Sequence, residues 1–144
     1  MNDKQWYSIE DCTILPLKQF SDDRGSLVPI ECGTDMPFVP QRVFTTFAVP
    51  GGTTRGEHAN LETHEFIVCP SGALTVWIYD GTHEKSIRLD RPDQGLIVPP
   101  TVWIELREFV ADTCIVVLAS HSYNAKEYIR DLPSFEAFRK GQNQ

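Results

Sequence analysis

The residues best suited to chemistry lie close together: His58, Asn60 and Glu65, with Arg55 opening the run Arg55-Gly56-Glu57-His58-Ala59-Asn60. An unperturbed histidine titrates near pH ~6.5, so an imidazole can take a proton and return it at neutral pH. If residues 56–60 form a strand, His58 and Asn60 point to one face, because side chains alternate with a period of two. Two polar side chains facing an apolar interior are costly unless satisfied, and functional sites are where such costs are tolerated. Glu65 opens the next apolar run and can face the same interior, where its carboxylate would orient the imidazole or hold a proton.

Other groups read as structural first. A lone histidine is more often a buried, backbone-bonded one; the run around His58 is what singles it out. His64, next to Glu65, points the other way if Glu65 points in, which suits a structural or subunit-contact role. His83 follows the turn Asp80-Gly81 and is expected in solvent, and His121 sits at a strand end. Arg24, in Asp22-Asp23-Arg24-Gly25, reads on its own as a turn residue in a surface ion pair. Trp77, Trp103, Phe66 and Tyr79 read as packing. Tyr123 and Tyr128 read as packing the C-terminal segment on the body of the fold, with Tyr123 also weighed as a site residue.

These groups need a scaffold of short strands. Strands are expected over 26–31, 42–49, 65–69, 74–79, 85–89, 96–98, 103–106 and 113–119, separated by Pro50-Gly51-Gly52, Pro70-Ser71-Gly72, Asp80-Gly81 and Pro99-Pro100. Regular short strands with Gly/Pro punctuation indicate an all-β sandwich or barrel. Helical turns are expected over 124–130 and 134–140, the second starting at Pro133, and the end at 141–144 is expected to fray. There is no repeat or linker, so residues 1–144 are expected to form one domain.

Composition narrows the function classes. The chain has 144 residues, a formal net charge of −7 and a pI of about 5.0. That argues against broad binding to nucleic acid or an anionic membrane, which needs a positive field. A small anionic ligand remains compatible, because a few arginines can hold one inside an acidic protein. No apolar run reaches the length of a membrane span, and the start lacks the apolar core of a signal peptide, so the cytoplasm is expected. Cys12, Cys32, Cys69 and Cys114 form no CxxC pair. Buried thiols are expected at Cys69 and Cys114.

From Gly56 to Gly72 the sequence resembles the first cupin motif: Gly56, His58, Asn60, Glu65 and Gly72 at its spacing. It resembles one cupin subfamily more fully, the sugar-nucleotide 3,4-ketoisomerases, also called WxcM-like proteins. The stretches that carry this are Asp23-Arg24-Gly25-Ser26-Leu27-Val28, Gln41-Arg42-Val43-Phe44, Arg55-Gly56-Glu57-His58-Ala59, His64-Glu65-Phe66-Ile67-Val68-Cys69, Leu89-Asp90-Arg91-Pro92, and Tyr123 with Glu127-Tyr128-Ile129-Arg130-Asp131. The resemblance spans roughly residues 22–138. It implies a cupin double-stranded β-helix (jelly-roll) barrel with short C-terminal helical turns, a homodimer, and no metal or other cofactor. It implies action on a dTDP-linked 4-keto-6-deoxy sugar for surface polysaccharides. His58 would be the main acid/base, moving a proton between adjacent carbons through an enediol, and Arg24 and Arg55 would lie near the nucleotide diphosphate.

The chain departs from that pattern at two positions on the implied active face. Asn60 stands where the subfamily has a second histidine, and asparagine does not shuttle a proton at neutral pH. Thr45 stands where a tyrosine is usual. Three readings stay open: half of the proton relay, another group in place of the histidine, or binding of a nucleotide sugar without turnover. A metal cupin is a further alternative. Of its four ligand positions only His58 and Glu65 carry ligand side chains; Asn60 and Ile104 occupy the others, and mononuclear sites usually need three or four protein ligands.

Overall fold

In a computed structural model, residues 5–141 are described. The strands, in chain order, are β1 (Ile14–Pro16), β2 (Phe20–Asp22), β3 (Gly25–Leu27), β4 (Arg42–Phe47), β5 (Arg55–Asn60), β6 (Glu65–Ser71), β7 (Leu74–Tyr79), β8 (Glu84–Leu89), β9 (Gln94–Val98), β10 (Trp103–Arg107), β11 (Cys114–Ala119) and β12 (Tyr128–Ile129). A helix, α1 (Leu132–Lys140), follows. Two five-stranded sheets form, in the orders β1-β9-β6-β11-β4 and β12-β5-β10-β7-β8; β2 and β3 make a separate hairpin. Every strand pairing within these sheets is antiparallel.

The period-two pattern decides what lies between the sheets. Ile67, Cys69, Ile115 and Val117 of the first sheet meet Val76, Ile78, Ile104 and Leu106 of the second in one buried cluster. The alternate residues of the first sheet, Phe66, Val68 and Leu118, form a second cluster outside, under Leu15, Leu17, Ile30, Met36 and Phe38. The outer face of the second sheet carries Ala59 and Trp103, covered by Phe135 of α1. Gly95 is needed where β9 passes β6, because an added Cβ would lie 2.1 Å from the ring of Phe66. No helix among the described residues is long and apolar enough to cross a membrane.

Several boundaries differ from the sequence expectation. The strand expected over 26–31 ends at Leu27, and β1 and β2 were not anticipated at all. Pro29 has no N–H to give a ladder, and β1 and β2 are only three residues each. The helical turn expected over 124–130 is a 3₁₀ turn at Ala125–Glu127 that runs into β12. Register explains the switch: Tyr128 and Ile129 pair with Asn60 and Ala59 of β5, which seats Ile129 against the outer cluster. In α1 the first residue is Leu132, and Asp131 caps it through Ser134 N–H at 2.9 Å. Of the end expected to fray, residues 142–144 lie outside the described residues.

Two buried polar groups tie the chain ends to this frame. Asp80 accepts from the backbone N–H groups of Ile9, Thr82 and His83 at 3.0, 2.9 and 2.8 Å. Arg139 of α1 donates to the carbonyls of Tyr7 and Thr101 at 2.6 and 2.7 Å. Burial alone would push the Asp80 carboxyl up, but the bonds from His83, Ile9 and Thr82 outweigh it and hold it below the ordinary carboxylate range. A lowered value stabilises the fold fully above that range and is lost as pH falls through it. Asp80→Asn should cost on the order of 2 kcal/mol at neutral pH, since its NH₂ would face a backbone donor. The deficit should shrink below pH ~4, where the carboxyl of the unfolded wild-type chain begins to take a proton that the folded one still refuses. Denaturant unfolding of both proteins at pH 7 and pH 3 checks this, and a deficit that does not shrink contradicts it.

Candidate functional site

The site is built on an irregularity in β5. His58 pairs with Ile104 of β10, but Gly56 pairs with the next residue, Glu105, so Glu57 is the extra residue of a β-bulge. Gly56 and Glu57 both have left-handed backbones, with φ of 80° and 54°. The glycine is required for a second reason, because an added Cβ would stand 3.2 Å from the Ile104 carbonyl oxygen. The bulge brings the Gly56 carbonyl within 3.1 Å of His58 Nδ1. A carbonyl only accepts, so Nδ1 carries the hydrogen, and in the neutral ring Nε2 keeps its lone pair.

Nε2 faces inward. His58 shares its face with Ile104, part of the core between the sheets. Glu65 faces the same interior, and its Oε1 lies 4.0 Å from Nε2, beyond hydrogen-bond length. Asn60 is buried two residues on, with its Nδ2 lacking an acceptor. Among the described residues, the buried side-chain nitrogens without a hydrogen-bond partner belong to Arg42, His58, Asn60 and Arg139. Three of these four gather here. Each such atom costs roughly 1–3 kcal/mol when left unsatisfied, so the clustering marks a place built to receive a polar molecule.

The imidazole opens onto a cavity of about 370 Å³ lined by Arg42, Phe44, His58, Tyr123, Tyr128 and Arg130. Volumes of ~300–1,000 Å³ suit small-molecule ligands. Arg42 and Phe44 come from β4 and reach the cavity because Phe44, opposite Val117, faces inward. Arg42 Nη2 donates to the Tyr128 hydroxyl at 3.0 Å, and its guanidinium lies 5.4 Å from the Tyr123 ring. The Tyr128 ring meets His58 nearly edge-on, with centroids 5.0 Å apart. Arg130 lies 4.6 Å over Tyr128. The cavity thus offers two guanidinium groups suited to phosphate and aromatic faces suited to a base or sugar ring.

The C-terminal segment holds one wall by a buried carboxylate. Glu127 accepts from Glu62 N–H and Thr63 N–H, each at 3.0 Å, and from the Thr63 hydroxyl, while its carbonyl accepts from Leu61 N–H at 2.9 Å. The turn between Asn60 and Glu65 is therefore clamped to the residue before Tyr128.

Sequence-derived candidates divide clearly. His58, Asn60 and Glu65 come together, and Tyr123, 62% exposed, stands at the rim. Arg55, exposed, pairs with Leu106 and so opens β5 on the His58 side. Thr45 does not join them: it pairs with Val116 on the outer face of the first sheet, away from the imidazole. Arg24 does not join them within this chain either. It caps the β2–β3 hairpin, 2.6 Å from Asp22, and lines a separate hollow. His64 faces outward as expected, against Tyr7, and burial lowers its pKa. Arg42, Phe44, Tyr128 and Arg130 were missed as site residues. The alternation in Arg42-Val43-Phe44 was the available signal for the first two; for the last two the signal was their place in the family stretch Glu127-Tyr128-Ile129-Arg130-Asp131, which gave no direction because β12 read as helix.

Comparisons with known proteins agree with this fold. A family model described as FdtA (WxcM-like, C-terminal) matches residues 10–140. A TDP-4-oxo-6-deoxy-alpha-D-glucose-3,4-oxoisomerase from Aneurinibacillus thermoaerophilus is 38% identical over 125 residues, covering 87% of this chain and 90% of that protein. A histidine-to-asparagine mutant of the 3,4-ketoisomerase QdtA from Thermoanaerobacterium thermosaccharolyticum, in complex with TDP-4-keto-6-deoxyglucose, is 30% identical with a TM-score of 0.88, covering 91% of this chain and 95% of that one. The TDP-quinovose 3,4-ketoisomerase WlaRB from Campylobacter jejuni is 34% identical with a TM-score of 0.84, covering 89% and 98%.

The Glu127 clamp gives a direct test of the wall. Glu127→Ala leaves three donors in or beside the buried turn without their acceptor. The expected loss is on the order of 3 kcal/mol of stability, measured by denaturant unfolding. A loss below about 1 kcal/mol would show that solvent or a neighbour takes over the clamp.

Proposed function

The chain belongs to the FdtA (WxcM-like, C-terminal) family, and from that membership we propose that it is a sugar-nucleotide 3,4-ketoisomerase acting on a dTDP-linked 4-keto-6-deoxy sugar. One observation carries the reading: His58, its Nδ1 tied to Gly56, lines a small-molecule cavity walled by arginine and tyrosine and keeps a buried Nε2 with no hydrogen-bond partner. A base with one fixed tautomer is what removal of the hydrogen beside a keto-sugar carbonyl requires. Glu65 stabilises the imidazolium that forms when Nε2 takes the proton. Arg42, Arg130 and Arg55 serve the diphosphate, which guanidinium binds in a bidentate way. The relatives named above, which act on TDP-linked keto-sugars, support the same substrate class. The residues themselves supply this chemistry, and His58 with Glu65 is too small a donor set for a mononuclear metal.

The reading extends to a single-domain homodimer in the cytoplasm that feeds deoxysugar into surface polysaccharide. A pair is favoured by the bare edge of β4, whose outward Val43 and Phe47 are 58% and 67% exposed, and by the projecting hairpin, whose Phe20 and Leu27 are 59% and 61% exposed. Long exposed edges are otherwise an association hazard. Arg24 reaches a nucleotide in this reading only from a second copy. A second reading, binding without turnover, is favoured by Asn60.

Incubating the protein with dTDP-4-keto-6-deoxyglucose in deuterated water separates the two. The isomerase should give the 3-keto product and exchange the carbon-bound hydrogen next to the carbonyl. His58→Ala should slow both by about 10²–10⁴-fold. No product and no exchange, alongside TDP binding that Arg55→Ala weakens, would leave the binding reading standing instead.

A further inference from the structure

We propose that Tyr128 is a second catalytic residue, the group that moves a proton between the two sugar oxygens while His58 moves one between the two carbons; this rests on the ketoisomerase reading above. Shifting a ketone from C4 to C3 breaks C3–H and O3–H and forms C4–H and O4–H. Carbon 4 is reduced and carbon 3 oxidised within one molecule, so no outside oxidant or reductant takes part. Two protons must move, and one imidazole serves the carbons. The oxygens need a second group that both gives and takes a proton.

The lining of the cavity leaves one good candidate. Arg42 and Arg130 are donors only and stay charged. The Asn60 amide hydrogen-bonds but does not exchange protons at neutral pH. Glu65 faces the imidazole. Tyr123 is 62% exposed at the rim. Tyr128 is half-buried, lines the cavity beside His58, and has a hydroxyl that donates and accepts.

Its setting suits the task in two ways. Tyr128 is the direct cross-strand partner of Asn60, so the two side chains stand next to each other on the His58 face. The phenol thus occupies the neighbourhood of the position that holds a carboxamide instead of a titrating ring. Arg42 Nη2 gives its hydrogen bond into the phenol oxygen at 3.0 Å. That bond uses a lone pair and leaves the phenol its own hydrogen to give away. When that hydrogen leaves, the charge left on oxygen lies beside a permanent cation, a preorganised stabilisation that water would not match.

The steps balance. His58 Nε2 takes the C3 proton, the C3–H pair becomes the C3=C4 bond, and the C4=O π pair takes the proton of Tyr128 to form O4–H. The imidazolium then returns its proton to C4, using the C3=C4 pair. The O3–H pair becomes the C3=O bond, and its proton goes back to the Tyr128 phenolate. Both groups end as they began.

Kinetics of the full-length protein on dTDP-4-keto-6-deoxyglucose test this. Tyr128→Phe should lower kcat by about 10²–10⁴-fold, while KM and TDP affinity stay within about threefold. Replacing Tyr128 with 3-fluorotyrosine, a more acidic phenol of nearly the same shape, should keep turnover and move the alkaline limb of the kcat pH profile to lower pH. A packing role would not move that limb. The second variant decides the matter if Tyr128→Phe does not fold. An active wild type beside an equally active Tyr128→Phe, or an unmoved limb, overturns this inference alone; an inactive wild type overturns the ketoisomerase reading and this one with it.

Discussion

The site depends on one hydrogen bond, from His58 Nδ1 to the Gly56 carbonyl two residues back in the same strand. In a regular strand, carbonyls point along the ladder to neighbouring chains, not toward the next inward side chain. The bulge at Glu57 changes that by turning the backbone through two left-handed residues. A bond donated to a carbonyl can come only from a protonated nitrogen, so the backbone itself selects the tautomer and leaves Nε2 as the basic atom. The strain of the non-glycine left-handed residue, of order 1–3 kcal/mol, is offset by the surrounding ladder with β10.

A second requirement is a wall opposite the imidazole. The barrel strands supply Arg42 and Phe44, but Tyr128 and Arg130 come from a segment that adds only two residues to the sheet edge. Two residues of ladder hold little by themselves. The segment stays because Glu127 satisfies the β5–β6 turn, and because α1 behind it buries Phe135 and sends Arg139 to the Tyr7 and Thr101 carbonyls. Thr101, buried and left-handed at φ 66°, in turn donates its N–H to the Asn60 carbonyl at 2.7 Å. The far end of the chain and the end of β5 are thereby one connected structure.

The electrostatics follow from the same arrangement. The chain is acidic as a whole, yet Arg42 and Arg130 converge on one cavity. A local positive site inside a negative protein favours a small anion over a polyanion, because the long-range field repels the latter. Arg42 also shows how one side chain serves two ends, giving a hydrogen bond to a phenol and a cationic face to Tyr123.

Much of this was legible in the residues. The strands from β4 to β11, β5 apart, were marked by apolar runs between Gly/Pro turns; granted a strand at β5, period two placed His58, Asn60 and Glu65 on one interior face while turning His64 away. Those are local consequences of backbone geometry, so a linear pattern carries them. The same periodicity was present at Thr45, but a resemblance outweighed it, and its pairing with Val116 puts it on the outer face. What only the tertiary structure decided is which remote segment closes the cavity. Tyr128 and Arg130 sit in a stretch with helical propensity; pairing with β5 across nearly seventy residues overrides that propensity and turns an apparent packing tyrosine toward His58. The sequence by itself singled out His58 and the face it occupies. The wall opposite that imidazole comes from long-range strand pairing, which no local pattern encodes.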